Sequence, residues 1–78
     1  MWSYSCSDMK KSILSKLAKQ IVRYRKDCDM TQEDLSQKTG ISRSSIAMIE
    51  TAKRDITISN LSIIAKALNI SLSELTKF

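Results

Sequence analysis

An all-α domain of five short helices is what this sequence predicts, and three observations predict it. The 78 residues include no proline and a single glycine, Gly40, so the chain lacks the turn residues that a strand-rich fold uses at every reversal. Apolar residues recur at three- and four-residue spacings, the period of a helix face. Thr31, Ser42, Thr57 and Ser71 each stand just before such a stretch, where a hydroxyl caps the exposed amides of a first turn. At this length the chain is one domain with a small core, burying only about 60% of its unfolded surface.

The elements follow in order. Residues 1–11 (MWSYSCSDMKK) show no sustained apolar period and are expected to form a flexible arm, with Trp2 and Tyr4 either packed back or exposed. Residues 12–78 form the domain. Leu14, Leu17, Ala18, Ile21 and Val22 mark one face of a first helix from about Ser12 to Lys26, which ends in the polar Asp27–Cys28–Asp29. Thr31 with Asp34 has capping-box spacing and opens a second helix that runs through Leu35 to about Lys38. Gly40 stops it, because glycine alone takes a left-handed turn without penalty. Ser42 caps a third helix with Ile46 and Ile49 inward. After the charged loop Ala52–Asp55, Thr57 caps a fourth helix with Leu61, Ile64, Ala65 and Leu68 on one face. Asn69 ends it, and Ser71 with Glu74 caps a short fifth helix from Leu72 to Phe78.

Composition narrows the function. The chain has 13 basic and 8 acidic residues, a net charge of +5, and no histidine. That balance suits a polyanionic partner, although charge alone does not identify one. Seven basic and three acidic residues lie before position 31. The absence of histidine removes the commonest general base and the commonest metal ligand. With no glycine-rich loop and no paired carboxylates in a pocket, no catalytic constellation is present, so an enzyme, a cofactor, a metal site and a small-molecule ligand are not expected. Cys6 and Cys28 permit one bridge, but helical patterning supplies the core and two reduced thiols are the expectation. No apolar run approaches the length of a membrane span or of a signal-peptide core. The chain is therefore expected in the cytoplasm, on the nucleoid.

The informative stretch is Gln32–Thr51. Two short helices meet at a turn that holds the only glycine, Leu35, Ile41, Ile46 and Ile49 supply the shared apolar contacts, and small Ser36 sits where the helices cross. This is either a plain helical hairpin or the helix-turn-helix that places its second helix in a DNA major groove. In the second reading Ser44, Ala47, Met48 and Thr51 face outward. Arg43, at the helix start, either pairs with guanine O6 and N7 or clamps a phosphate. Ala47 and Met48 offer apolar contact to a thymine methyl, or Met48 packs at the core edge. Ser42 and Ser45 belong to the same DNA-binding surface.

The runs MTQEDLSQKTGISRSSIAMIE and ITISNLSIIAKALNISLSEL, with the first helix, closely resemble the lambda-repressor/Cro-like helix-turn-helix family, also called the XRE type. The resemblance covers about residues 12–76. It implies a lambda-repressor-like fold and a sequence-specific transcriptional regulator of double-stranded DNA. It implies a phosphate contact at Gln32 and DNA contacts from Lys53 and Arg54. It also implies a structural ion pair between Arg25 and Glu50. Asp29 and Ala52 depart from the family pattern, standing where glycine is frequent, and Ile56 stands where proline is frequent. Both bends are thus expected to carry strain. The Arg54–Asp55–Ile56–Thr57 loop and the Arg43–Ser44 pair look most like restriction–modification controller proteins.

One reading helix covers only a few base pairs, so a homodimer on a pseudo-palindromic operator is expected, with half-sites about 34 Å apart. Ile70, Leu72, Leu75 and Phe78 are the expected interface, Leu72 and Phe78 more than the other two, which also suit the core. The competing reading is an antitoxin-like or phage-repressor-like regulator whose main partner is another protein.

Overall fold

The computed structural model describes residues 6–77, with side chains from Ser12 to Lys77. Five helices run in the order α1 (Cys6–Asp27), α2 (Gln32–Thr39), α3 (Arg43–Glu50), α4 (Ile58–Ala67) and α5 (Leu72–Leu75). No strand occurs among the described residues. No helix among them is long and apolar enough to cross a membrane.

Two boundaries differ from expectation. α1 begins at Cys6 rather than Ser12, so residues 6–11 belong to the helix and not to an arm. Nothing in the sequence CSDMKK opposes a helix, and lysine and methionine favour one. Residues 6–11 carry no sustained apolar period, so the pattern marks no helix there. Trp2 and Tyr4 lie outside the described residues. At the other end, α5 stops at Leu75 rather than Phe78. The Thr76 hydroxyl donates to the Leu72 carbonyl at 2.9 Å and closes the helix after one turn.

α2 packs on α3 and α4, while α1 crosses α3 and α5, and α5 also rests on α4. The core draws Leu17 and Ile21 from α1, Leu35 from α2, Ile46 and Ile49 from α3, Leu61, Ile64 and Ala65 from α4, and then Leu68 and Leu75. Full burial of each leucine or isoleucine stabilises the fold by about 1.5–3 kcal/mol. With so few core residues, every helix depends on its neighbours.

Helix ends are made by caps at nearly every junction. The side chains of Thr31, Ser42, Thr57 and Ser71 each accept the backbone N–H three residues ahead. At α2 the box is complete, since Asp34 Oδ2 also accepts the Thr31 N–H at 3.0 Å. That backbone bond, with the Thr31 hydroxyl, holds the Asp34 carboxyl below its ordinary value.

The three helix ends at Asp29, Ala52 and Asn69 share one solution. Each of these residues is left-handed, at φ 56°, 58° and 60°. In each case the next residue's N–H reaches back five residues: Met30 to Arg25, Lys53 to Met48, and Ile70 to Ala65. These are Schellman motifs built without glycine. The strain expected at Asp29 and Ala52 is therefore present in the backbone, since left-handed geometry costs a residue with a Cβ about 1–2 kcal/mol and asparagine less. Ala52→Gly is expected to raise stability by about 0.5–1 kcal/mol, the relief being offset in part by the greater freedom of glycine in the unfolded chain. Urea unfolding checks this, and a lower midpoint for the variant would contradict it.

Candidate nucleic-acid interface

The turn between α2 and α3 is held by backbone geometry and three hydroxyl bonds. Gly40 is left-handed at φ 77° and its N–H closes α2 on the Ser36 carbonyl at 2.9 Å. The Ser36 hydroxyl crosses to the Ile41 carbonyl at 2.6 Å. Thr39 Oγ1 donates to the Leu35 carbonyl at 2.8 Å and accepts the Ile41 N–H at 3.2 Å. Small Ser36 thus does more than leave room, because its hydroxyl satisfies a carbonyl that the turn would otherwise strand.

α3 is fixed from beneath by Ile46 and Ile49, which are buried, and from behind by an ion pair. Arg25 Nε donates to Glu50 Oε2 at 2.7 Å and Nη2 donates to Oε1 at 3.1 Å. The third arm, Nη1, donates to the Met30 carbonyl at 2.7 Å. α1, the loop after it and α3 are therefore joined through one guanidinium. Glu50 Oε1 also accepts from Gln32 Nε2 at 3.1 Å, which brings the start of α2 into the same network.

This places the expected DNA-contacting residues as follows. Ser44 and Met48 are exposed on α3, and Ala47 is half-buried between them. Arg43 is exposed at the helix start. Gln32, at the start of α2, is half-buried and has one amide proton engaged by Glu50 at 3.1 Å, which leaves its other N–H without that partner. The Thr51 hydroxyl donates into α3, to the Ala47 carbonyl at 3.0 Å, and serves the helix end in this state. Lys53 and Arg54 are exposed beyond it.

Two relations were not visible in the sequence. Arg54 folds back over α3, where Nη1 donates to Ser45 Oγ at 2.7 Å. Arg43 Nη1 lies 3.8 Å from Glu33 Oε2, both side chains well exposed. Each contact spans about ten residues and depends on how a loop or a neighbouring helix is placed, which no local pattern encodes.

The expected dimer surface needs correction. Leu75 is fully buried; it anchors α5 in the core and offers nothing outward. Phe78 lies outside the described residues. Ile70 and Leu72 are half-buried at the core's edge. Ile63 was overlooked, although it is 42% exposed and lines an open hollow with Lys38, Lys66 and Ala67. The signal was present: with Leu61, Ile64, Ala65 and Leu68 on one face of α4, the 100° helical step puts Ile63 on the opposite side.

Five helices, a glycine-closed turn between α2 and α3, and an outward α3 starting at an arginine together define a helix-turn-helix domain of the XRE type. The chain belongs to the helix-turn-helix family, whose model matches residues 21–75. It is 39% identical over 59 residues to the control protein C.SmaI of Serratia marcescens, covering 76% of this chain and 70% of that one. Among solved structures it is similar to a chain of the restriction–modification controller protein C.Esp1396I, from a structure of that protein's tetramer in complex with its natural 35-base-pair operator. That match has a TM-score of 0.72 and 36% identity, covering 83% of this chain and 96% of the other. A transcriptional regulator from Vibrio cholerae matches with a TM-score of 0.81 and 29% identity over 85% of this chain, which spans 37% of that protein's length.

Proposed function

We propose that this chain is a sequence-specific double-stranded DNA-binding transcriptional regulator that controls restriction–modification genes, acting as a homodimer on a pseudo-palindromic operator. One observation carries the reading: α3 starts at the exposed Arg43, Arg54 reaches back to its first turn at Ser45, and its other side is locked into the core. Rigid placement of long donors at a helix start is what base-edge recognition in the major groove requires. The similarity to controller proteins supports the regulatory role.

Selection from a random duplex pool tests it. A two-fold symmetric site with half-sites about one helical turn apart is expected, and its affinity should fall steeply as salt rises. A pool that never converges would exclude sequence-specific binding.

The second copy is assigned to the surface of Ile63, Ala67, Ile70 and Leu72. Ile63 and Ala67 share one face of α4 and line the same open hollow, and Ile70 and Leu72 lie half-buried after that helix. Ile63→Asp is expected to give a folded monomer by analytical ultracentrifugation, with weakened operator binding. A variant that stays dimeric would place the interface elsewhere.

A further inference from the structure

Ser45 lies in the first turn of α3, between Arg43 and the core residue Ile46, and is half-buried. A serine hydroxyl has two acceptor lone pairs and one proton. Both acceptor positions are occupied: Arg54 Nη1 donates to Oγ at 2.7 Å, and the Ser42 hydroxyl donates to it at 2.9 Å. The Ser42 oxygen in turn accepts the Ser45 N–H at 3.2 Å. With Ser42 as the donor of this pair, the Ser45 proton is not used within it. Accepting from a guanidinium and from a second hydroxyl polarises that O–H and strengthens it as a donor.

We propose that Ser45 and Arg54 act as one unit at the DNA surface. Ser45 fixes the guanidinium across the first turn of α3 and gives its remaining proton to an acceptor atom of the nucleic acid. The unit rests on the DNA-binding reading above. It adds a positioning role for Ser45 and a fixed location for Arg54, which follows the helix in sequence yet works at its beginning. An exposed arginine otherwise surrenders its rotamer freedom on binding, and the hydrogen bond to Ser45 removes part of that cost beforehand. Four further N–H groups of the guanidinium remain for DNA. The acceptor is either a phosphate oxygen or the O6/N7 edge of guanine, since both accept from the same pair of donors.

The test is a double-mutant cycle on the full chain, using the selected operator duplex and a mixed-sequence duplex, read by fluorescence anisotropy. Ser45→Ala and Arg54→Ala are each expected to weaken operator binding about tenfold, as for one charge-assisted hydrogen bond. The double variant should lose about the same tenfold rather than the hundredfold of independent sites. Ser45→Thr restores the hydroxyl and is expected to bind like wild type, while all variants keep the wild-type melting temperature. If the acceptor is phosphate, the loss is equal on both duplexes and Arg54→Ala lowers the salt slope by about 0.9. If it is a base edge, the loss falls on the operator alone. Multiplicative losses, or a Ser45→Ala variant that binds like wild type, overturn the unit. A wild-type chain that selects no duplex overturns the DNA reading and the unit together.

Discussion

Glu50→Ala is expected to lower the unfolding free energy by about 3 kcal/mol, the lower end of the cost of removing one member of a buried ion pair. The Glu50 side chain is 4% exposed and that of Arg25 is 12%, so neither charge can turn to water when its partner is lost. The variant strands a guanidinium whose Nε and Nη2 both point at the missing carboxylate, and it also frees Gln32. A domain of this size has a total stability of about 4–12 kcal/mol, so the loss is a large share of it. Arg25→Ala should cost a similar amount, because it leaves the carboxylate buried and deprives the Met30 carbonyl of its donor. Urea unfolding of both variants is the measurement. A change below about 1.5 kcal/mol in each, half the usual cost of breaking such a pair, would mean that the pair opens to solvent.

The second large effect concerns recognition. Arg43→Ala is expected to weaken binding to the selected operator by about 1–3 kcal/mol, or about 5- to 150-fold, with far less effect on mixed-sequence DNA. Arg43→Lys should not restore selectivity, because an ammonium cannot match two acceptors of one guanine edge as a guanidinium fork does. An equal loss on both duplexes would make Arg43 a phosphate clamp instead. Glu33, 3.8 Å away, gives the free protein a competitor for the same guanidinium that binding must displace.

Much of the fold was legible because it is built from local rules. Thr31, Ser42, Thr57 and Ser71 marked four helix starts, since capping needs only a hydroxyl at the right step. Gly40 and Asn69 marked two ends for the same kind of reason. The Arg25–Glu50 pair could be anticipated only by resemblance, since 25 residues of chain separate its members. The start of α1 escaped because residues 6–11 carry no sustained apolar period in the sequence. Leu75 stood open between core and interface because a leucine on a one-turn helix suits either until neighbouring helices are placed, and the structure puts it in the core. The Ser45–Arg54 contact had no signal at all, as it depends on the path of a charged loop.

Four residues are too few for a helix to hold itself together, since nucleating a turn is unfavourable without tertiary support. α5 therefore exists on the strength of its cap at Ser71, the buried side chain of Leu75 and the Lys77 carbonyl, which accepts from Gln20 of α1 at 2.9 Å. The proposed two-fold surface runs into this same turn through Leu72. On the proposed dimer reading, a second copy bound at this surface would add to the support that the cap, Leu75 and Gln20 already give the turn, and the gain would grow with the concentration of the chain.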